Sequence, residues 1–354
     1  MPWRAKLNAD PLPWLLEPDN PSVRYFALRD LLDRPETDAE VRAARAAIMD
    51  SEPVRAILAA RHADGYWVKP GPGYSPSYTS TVWQVMLLAD LGADGSDERI
   101  RQSCEYLLSH SQARGGGLSL TAAPSGVIHC LNGNLTYALL TLGLPWQDDR
   151  IQQALDWQAG AILGEDVTFY ASGTSGPGFA CVANGALPCA WGAIKALKAF
   201  GLLPPEARTP RIQRALDAGV EFMFSRDLGD ADYPYQERIS SNWFKFGYPL
   251  SYTSDILEAL EALAGLGHAH DPRLANAIEF VLSKQDAQGR WRLEHTLNGK
   301  MWADIEQRGK PSKWVTLRAL RVLKATWDVG ATFRSPAGGL KASPTFRGLG
   351  MHMS

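Results

Sequence analysis

The chain has 354 residues, 45% of them apolar and 21% charged, with a formal net charge of −2. This balance argues against a nucleic-acid or acidic-membrane partner, and the apolar share is enough to bury a large core around a small-molecule site. The opening stretch Met1–Asp10 lacks the apolar run of a signal peptide and no segment is apolar enough to be a membrane span, so the sequence predicts a cytoplasmic protein whose four cysteines are thiols or metal ligands rather than disulfides.

In chain order, Asn20 to Leu32 shows a polar start and helical spacing of Val23, Phe26, Ala27 and Leu31, and a second helical stretch runs from about Ala39 to Arg61. After the turn at Gly65 and a Gly- and Pro-rich loop, the pattern repeats. Each unit pairs an apolar helix with a more charged one. The apolar helices begin near Tyr78, Cys130, Cys189, Leu250 and Lys313, a period of roughly 50 to 60 residues that fits one helical hairpin plus a long loop. The more apolar member of each pair belongs inside and the more charged one outside. Inner helices this apolar favour closure into a ring, which buries all of them. The predicted fold is an all-α (α/α) toroid of about five or six hairpins around a central cavity, spanning residues 1–330. Residues 331–354 turn to Ser, Pro and Gly and are expected to form an extended or partly disordered tail.

Three segments carry a family resemblance: Lys284-Gln285-Asp286-Ala287-Gln288-Gly289-Arg290-Trp291, Asp64-Gly65-Tyr66-Trp67, and Gly115-Gly116-Gly117-Leu118. The first matches a Gln-x-x-x-Gly-x-Trp repeat, and with it the chain resembles the α/α-toroid superfamily of squalene and terpene cyclases, protein prenyltransferase β subunits and lanthionine cyclases. Cys130-Leu131-Asn132-Gly133-Asn134 and the run from Pro311 to Leu320 are similar to segments of bacterial prenyltransferase- or squalene-cyclase-like proteins. The resemblance implies the toroid. It does not bring the chemistry with it: class II cyclases carry an Asp-x-Asp-Asp acid, and this sequence has no such string. Asp230-Ala231-Asp232 is the nearest and follows an outer helix. The zinc set of prenyltransferase β subunits does not map onto this chain, whereas the two cysteines and one histidine with which lanthionine cyclases hold zinc are closer to the residues present.

In a ring of parallel inner helices every inner N-terminus faces one mouth, so residues far apart in sequence converge there. On this argument Cys130, Cys189 and either Cys181 or His129 are candidate zinc ligands, because zinc takes thiolate and imidazole tetrahedrally and three protein ligands leave a place for water. The same cysteines equally suit packing where helices start, and Cys130 or Cys189 activated by His129 would be a nucleophile. Asp255 is the candidate proton handler; it suits equally a first-turn carboxylate that complements the helix dipole. Tyr252 and Lys313 open inner helices beside it. Asn298, Asp304 and Glu306 form a polar loop ahead of the last inner helix, with Lys313 placed to answer its carboxylates.

Aromatic residues gather in the loops of the same side, among them Tyr74, Tyr78, Trp83, Phe169, Tyr170, Phe179 and Trp243, and suit an apolar or aromatic small-molecule substrate. The expected function is therefore a zinc-dependent hydrolase that uses metal-activated water. Metal-free isoprenoid cyclisation or prenyl binding in the cavity is the alternative, and a non-catalytic ring-shaped scaffold the third reading.

Overall fold

The computed structural model describes residues 2–121, 126–165, 175–236 and 240–328. Among these residues the regular elements are helices: α1 (Leu12–Leu15), α2 (Pro21–Phe26, continued by a π-helical turn Ala27–Leu31), α3 (Ala39–Ile48), α4 (Glu52–Ala59), α5 (Thr81–Asp90), α6 (Glu98–Ser111), α7 (His129–Thr141), α8 (Asp149–Leu163), α9 (Ala190–Gly201), α10 (Pro210–Phe224), α11 (Ile256–Gly265), α12 (Ala275–Ser283) and α13 (Lys313–Trp327). Extended backbone is limited to isolated bridges such as Ala180 with Pro188. The expected helix from Ala39 to Arg61 is broken into α3 and α4. Pro53 sits in the first turn of α4, where its missing N–H costs nothing, and it could not continue α3.

Two kinds of helix alternate. Along α5 the side chains from Thr81 to Ala89 are all buried, and along α13 those from Lys313 to Ala325, so these helices are enclosed on every side. By contrast α10 buries Ile212, Ala215, Leu216, Gly219 and Met223, one stripe at helical spacing. The enclosed helices pack in order, α5 on α7, α7 on α9, α9 on α11 and α11 on α13, and α13 returns to α2. Phe26 of α2 lies against Gly92, just past α5. The inner helices thus close a ring, and the fold is an (α/α) toroid.

Recurrent devices hold each unit. Outer helices start at Asp-x-Arg steps: Asp97 accepts from Arg99 N, Asp148 from Arg150 N, and Asp271 from Arg273 N ahead of α12. In each case the arginine side chain returns to the same carboxylate, so one aspartate satisfies both the first-turn N–H and a guanidinium. The Gly-x-Trp segments pin outer to inner helices. Trp291 donates Nε1–H to Val281 O at 2.7 Å and its backbone N–H to Thr316 of α13; Trp67 does the same with Ile57 O, also at 2.7 Å, and with Thr81 of α5. Leu118, after the glycines, donates its N–H to Asn132 of α7.

In the Leu131-Asn132-Gly133-Asn134 run, Gly133 is where α7 and α9 cross. A Cβ there would lie 2.6 Å from the Lys195 carbonyl carbon. Residues 2–19 complete the ring as a clasp. Asn8 N–H donates to Gln285, Gln285 donates back to Lys6 O, and Gly289 lies so close to Ala9 O that a Cβ would be 2.0 Å away. Lys313 reaches Glu17 at 2.9 Å and also pairs with Asp19. The tail 331–354 lies outside the described residues, as do Phe169 and Tyr170.

Candidate functional site

The three cysteines do come together. Cys130 lies in the first turn of α7 and Cys189 caps α9, while Cys181 stands opposite on a short hairpin held by Cys181 N–H to Leu187 O (3.1 Å) and Cys189 N–H to Phe179 O (3.0 Å). The Cys181 and Cys189 thiols hydrogen-bond to each other, which draws Cys181 down to about 6 and raises Cys189. Burial, with the neighbouring Cys181, pushes Cys130 up to about 12.

The expected set of these cysteines with His129 does not gather. His129 points away from them, towards α8: its Nδ1 accepts from the Gln158 amide at 2.7 Å and its Nε2–H donates to Gly176 O at 2.9 Å. Both ring nitrogens are therefore used, and burial holds the imidazole neutral, with its pKa pulled down to about 4. Among the described residues no three His, Cys, Asp or Glu side chains gather in a geometry that could hold a metal ion. The expected zinc-dependent hydrolase is thus corrected: no metal-binding group is seen among the described residues to supply metal-activated water.

The other expected site residues occupy distinct places. Asp255 caps α11, accepting from Glu258 N at 2.8 Å and from Gly247 N at 3.1 Å, and Arg318 grips both of its oxygens. Lys313 faces the clasp rather than the Asp304–Glu306 loop; Glu306 instead accepts from the Lys313 backbone N–H and the Ser312 hydroxyl, capping α13. Tyr252 joins an aromatic cluster, edge-on to Trp83 (5.1 Å) and beside Tyr74 (6.0 Å), with Tyr78 also against Trp83 (4.9 Å). Burial raises its phenol, so it stays protonated.

The centre of the ring holds a cavity of about 140 Å³. Its wall carries charges that sequence reasoning passed over: Asp90 at the end of α5, Lys195 and Lys198 on α9, Glu258 and Glu261 on α11, and Arg318 and Arg321 on α13. Glu258 accepts from Lys195 at 2.6 and 2.7 Å and from Lys198 at 2.7 Å, joining α9 to α11. Desolvation would raise this carboxyl, but the two ammoniums outweigh it and hold Glu258 well below the usual range. Desolvation pulls Lys195 down despite its partner, while at Lys198 the negative neighbours outweigh it and hold the ammonium up.

Asp90 differs from all of these. It makes no hydrogen bond or ion pair with the described residues, and desolvation raises its carboxyl above the ordinary range although Lys198 and Lys195 pull the other way. Apolar wall is supplied by Met86, Leu197, Leu202 and Leu250 and by four rings, Phe26, Tyr137, Tyr248 and Trp314. Tyr248 stacks on Trp314 with centroids 4.0 Å apart, while Phe26 and Tyr137 carry Arg321 and Lys198 over their faces. Asp90, Met86 and Ser251 also line a smaller pocket with Tyr78 and Trp83, so the acid stands between the cavity and the aromatic cluster. The signal for this set was present in the sequence as charged residues inside otherwise apolar helices.

No family model matches this chain, and no curated protein does. Among solved structures, it is similar to a protein from Actinoplanes at 15% identity, with a TM-score of 0.39 over 87% of this chain and 90% of that one. It is also similar to the type II terpene cyclase MstE from Scytonema. The complex with geranylgeranyl dihydroxybenzoate gives 14% identity and a TM-score of 0.43 over 89% of this chain and 98% of the other; the apo form gives 14% and 0.44 over 89% and 97%. Likenesses this distant carry no argument about what this chain does.

Proposed function

We propose that this toroid is an enzyme of the isoprenoid-cyclase kind, in which Asp90 donates a proton to a carbon–carbon double bond of an apolar substrate in the central cavity. The observation that carries the reading is Asp90: a carboxyl without a partner among the described residues, whose hold on its proton is strengthened by desolvation, on the wall of a partly aromatic cavity.

The chemistry balances without a co-reactant. The π electrons of the double bond take the Asp90 proton, forming a C–H bond at one carbon and leaving a cation at the other, while Asp90 becomes a carboxylate. A second double bond closes on the cation, and loss of a neighbouring proton to a carboxylate ends the reaction with the substrate's mass unchanged. The new negative charge on Asp90 appears as the cation forms, and the aromatic residues of the wall, Phe26, Tyr137, Tyr248 and Trp314, are the groups that would stabilise that cation.

Asp90→Asn keeps the size and removes the transferable proton. It should lower same-mass conversion of an olefinic isoprenoid by at least about a hundredfold. The reading fails if the wild-type chain converts no member of a panel of isoprenoid hydrocarbons, alcohols and diphosphates, or if the variant turns over at the wild-type rate.

A further inference from the structure

We propose that the central cavity is a binding site for the uncharged, oxygen-bearing end of an apolar molecule, an alcohol, ether or carbonyl, and that it discriminates against a phosphorylated end. This rests on the cavity being the substrate site and goes on to name what that site takes.

The cations of the wall are already committed. Lys195 and Lys198 share Glu258, Arg318 holds Asp255 and Glu261, and Arg321 donates Nε–H to Asp30 at 2.8 Å. Four cations thus face four carboxylates. Three of these carboxylates are nearly fully enclosed: Asp30 is 7% exposed, Asp255 0% and Glu258 2%. A diphosphate would have to draw cations off enclosed partners and leave those carboxylates unpaired, which is the costly way to break a buried pair.

What the wall lacks is partners for neutral oxygen chemistry. The Tyr248 hydroxyl is buried and makes no hydrogen bond, and so is the Ser251 hydroxyl. Both residues line the cavity beside Asp90. Ser251 is held in this loop with φ at +54°, in the left-handed region, and its carbonyl is fixed by the Asn134 amide at 3.0 Å. Burial keeps Tyr248 protonated, and so a donor. Buried hydroxyls without partners are rare, and a ligand oxygen between these two would satisfy both. The cavity's size sets the rest: about 140 Å³ is close to the roughly 150 Å³ that accepts one benzene, so the enclosed end is about the size of one isoprene unit.

The test measures binding without turnover, by ligand-observed NMR on the full chain, with prenyl alcohol, prenyl diphosphate and the matching five-carbon alkene. The alcohol should bind at least about tenfold more tightly than either of the others. Tyr248→Phe keeps the stack on Trp314 and should cost the alcohol about tenfold while leaving the alkene unchanged; Ser251→Gly, which keeps the left-handed backbone, should act in the same direction. A diphosphate that binds as tightly as the alcohol overturns the proposal. So does an alcohol affinity indifferent to Tyr248→Phe, or no saturable alcohol binding at roughly 10 mM. A chain that binds the alcohol selectively but converts no isoprenoid loses the cyclase reading and keeps this one; conversion with diphosphate preferred does the reverse.

Discussion

Arg318 grips Asp255 at two points, 2.9 and 3.1 Å, across the junction of α13 and α11, with neither side chain open to water. Asp255 also caps α11 through Glu258 N–H, so one carboxylate joins a helix start to the next inner helix. Asp255→Ala leaves a buried guanidinium short of its partner and should destabilise the fold by about 3–5 kcal/mol in denaturant titrations. Activity per folded molecule should stay within about threefold; a loss of a hundredfold or more in the folded fraction would make Asp255 a proton handler instead.

His129 makes stability depend on pH. Its pKa falls from about 6.5 in the unfolded chain to about 4 in the fold, so between these values the unfolded state holds the extra proton. Stability should therefore decline as pH drops through this window, by roughly 3 kcal/mol at its lower end. His129→Gln should flatten that slope, as read by urea unfolding at several pH values. Equal slopes in both proteins would show that the imidazole titrates normally.

Asp90 works with the opposite sign. Its folded pKa is raised, so the folded state binds the proton more tightly, and its contribution is present in acid and lost as pH rises through the folded value. Asp90→Asn does not titrate and should melt higher than wild type at neutral pH, with the gap closing as the solution is acidified. A gap independent of pH would mean that Asp90 is ionised throughout.

Gly133 is the contact point of α7 and α9. Because a Cβ would meet the Lys195 backbone at 2.6 Å, Gly133→Ala must push two inner helices apart and should cost about 1–3 kcal/mol, measured by thermal unfolding. The same shift moves Lys195 relative to Glu258, so ligand binding in the cavity should weaken as well.

The alternation of apolar and charged helices made the ring legible, since only closure buries inner helices such as α5 and α13 on all sides. The convergence of Cys130 and Cys189 followed from parallel inner helices. The placing of His129 with the thiols was settled at a finer level: successive residues on a helix project about 100° apart, so His129 went to Gln158 while Cys130 stayed near the other thiols. Asp90 was hidden by position, because a polar residue at a helix end needs no explanation until the ring places it on a cavity wall. Lys195 and Glu258 stand 63 positions apart, and only the contact of α9 with α11 turns two odd charges into a pair.

The clasp of residues 2–19 on α12 and α13 has a consequence for how the molecule is made. Asn8 waits for Gln285, and the two lie 277 positions apart. At ordinary synthesis speeds the residues from Asn8 to Lys313 take on the order of 15–60 s to appear. During that interval α5, α7 and α9 exist with apolar flanks that no neighbour yet covers on every side. The ring's last interface thus joins a segment made early to one made about 300 residues later, and until they meet the cavity lacks the part of its wall that α13 supplies.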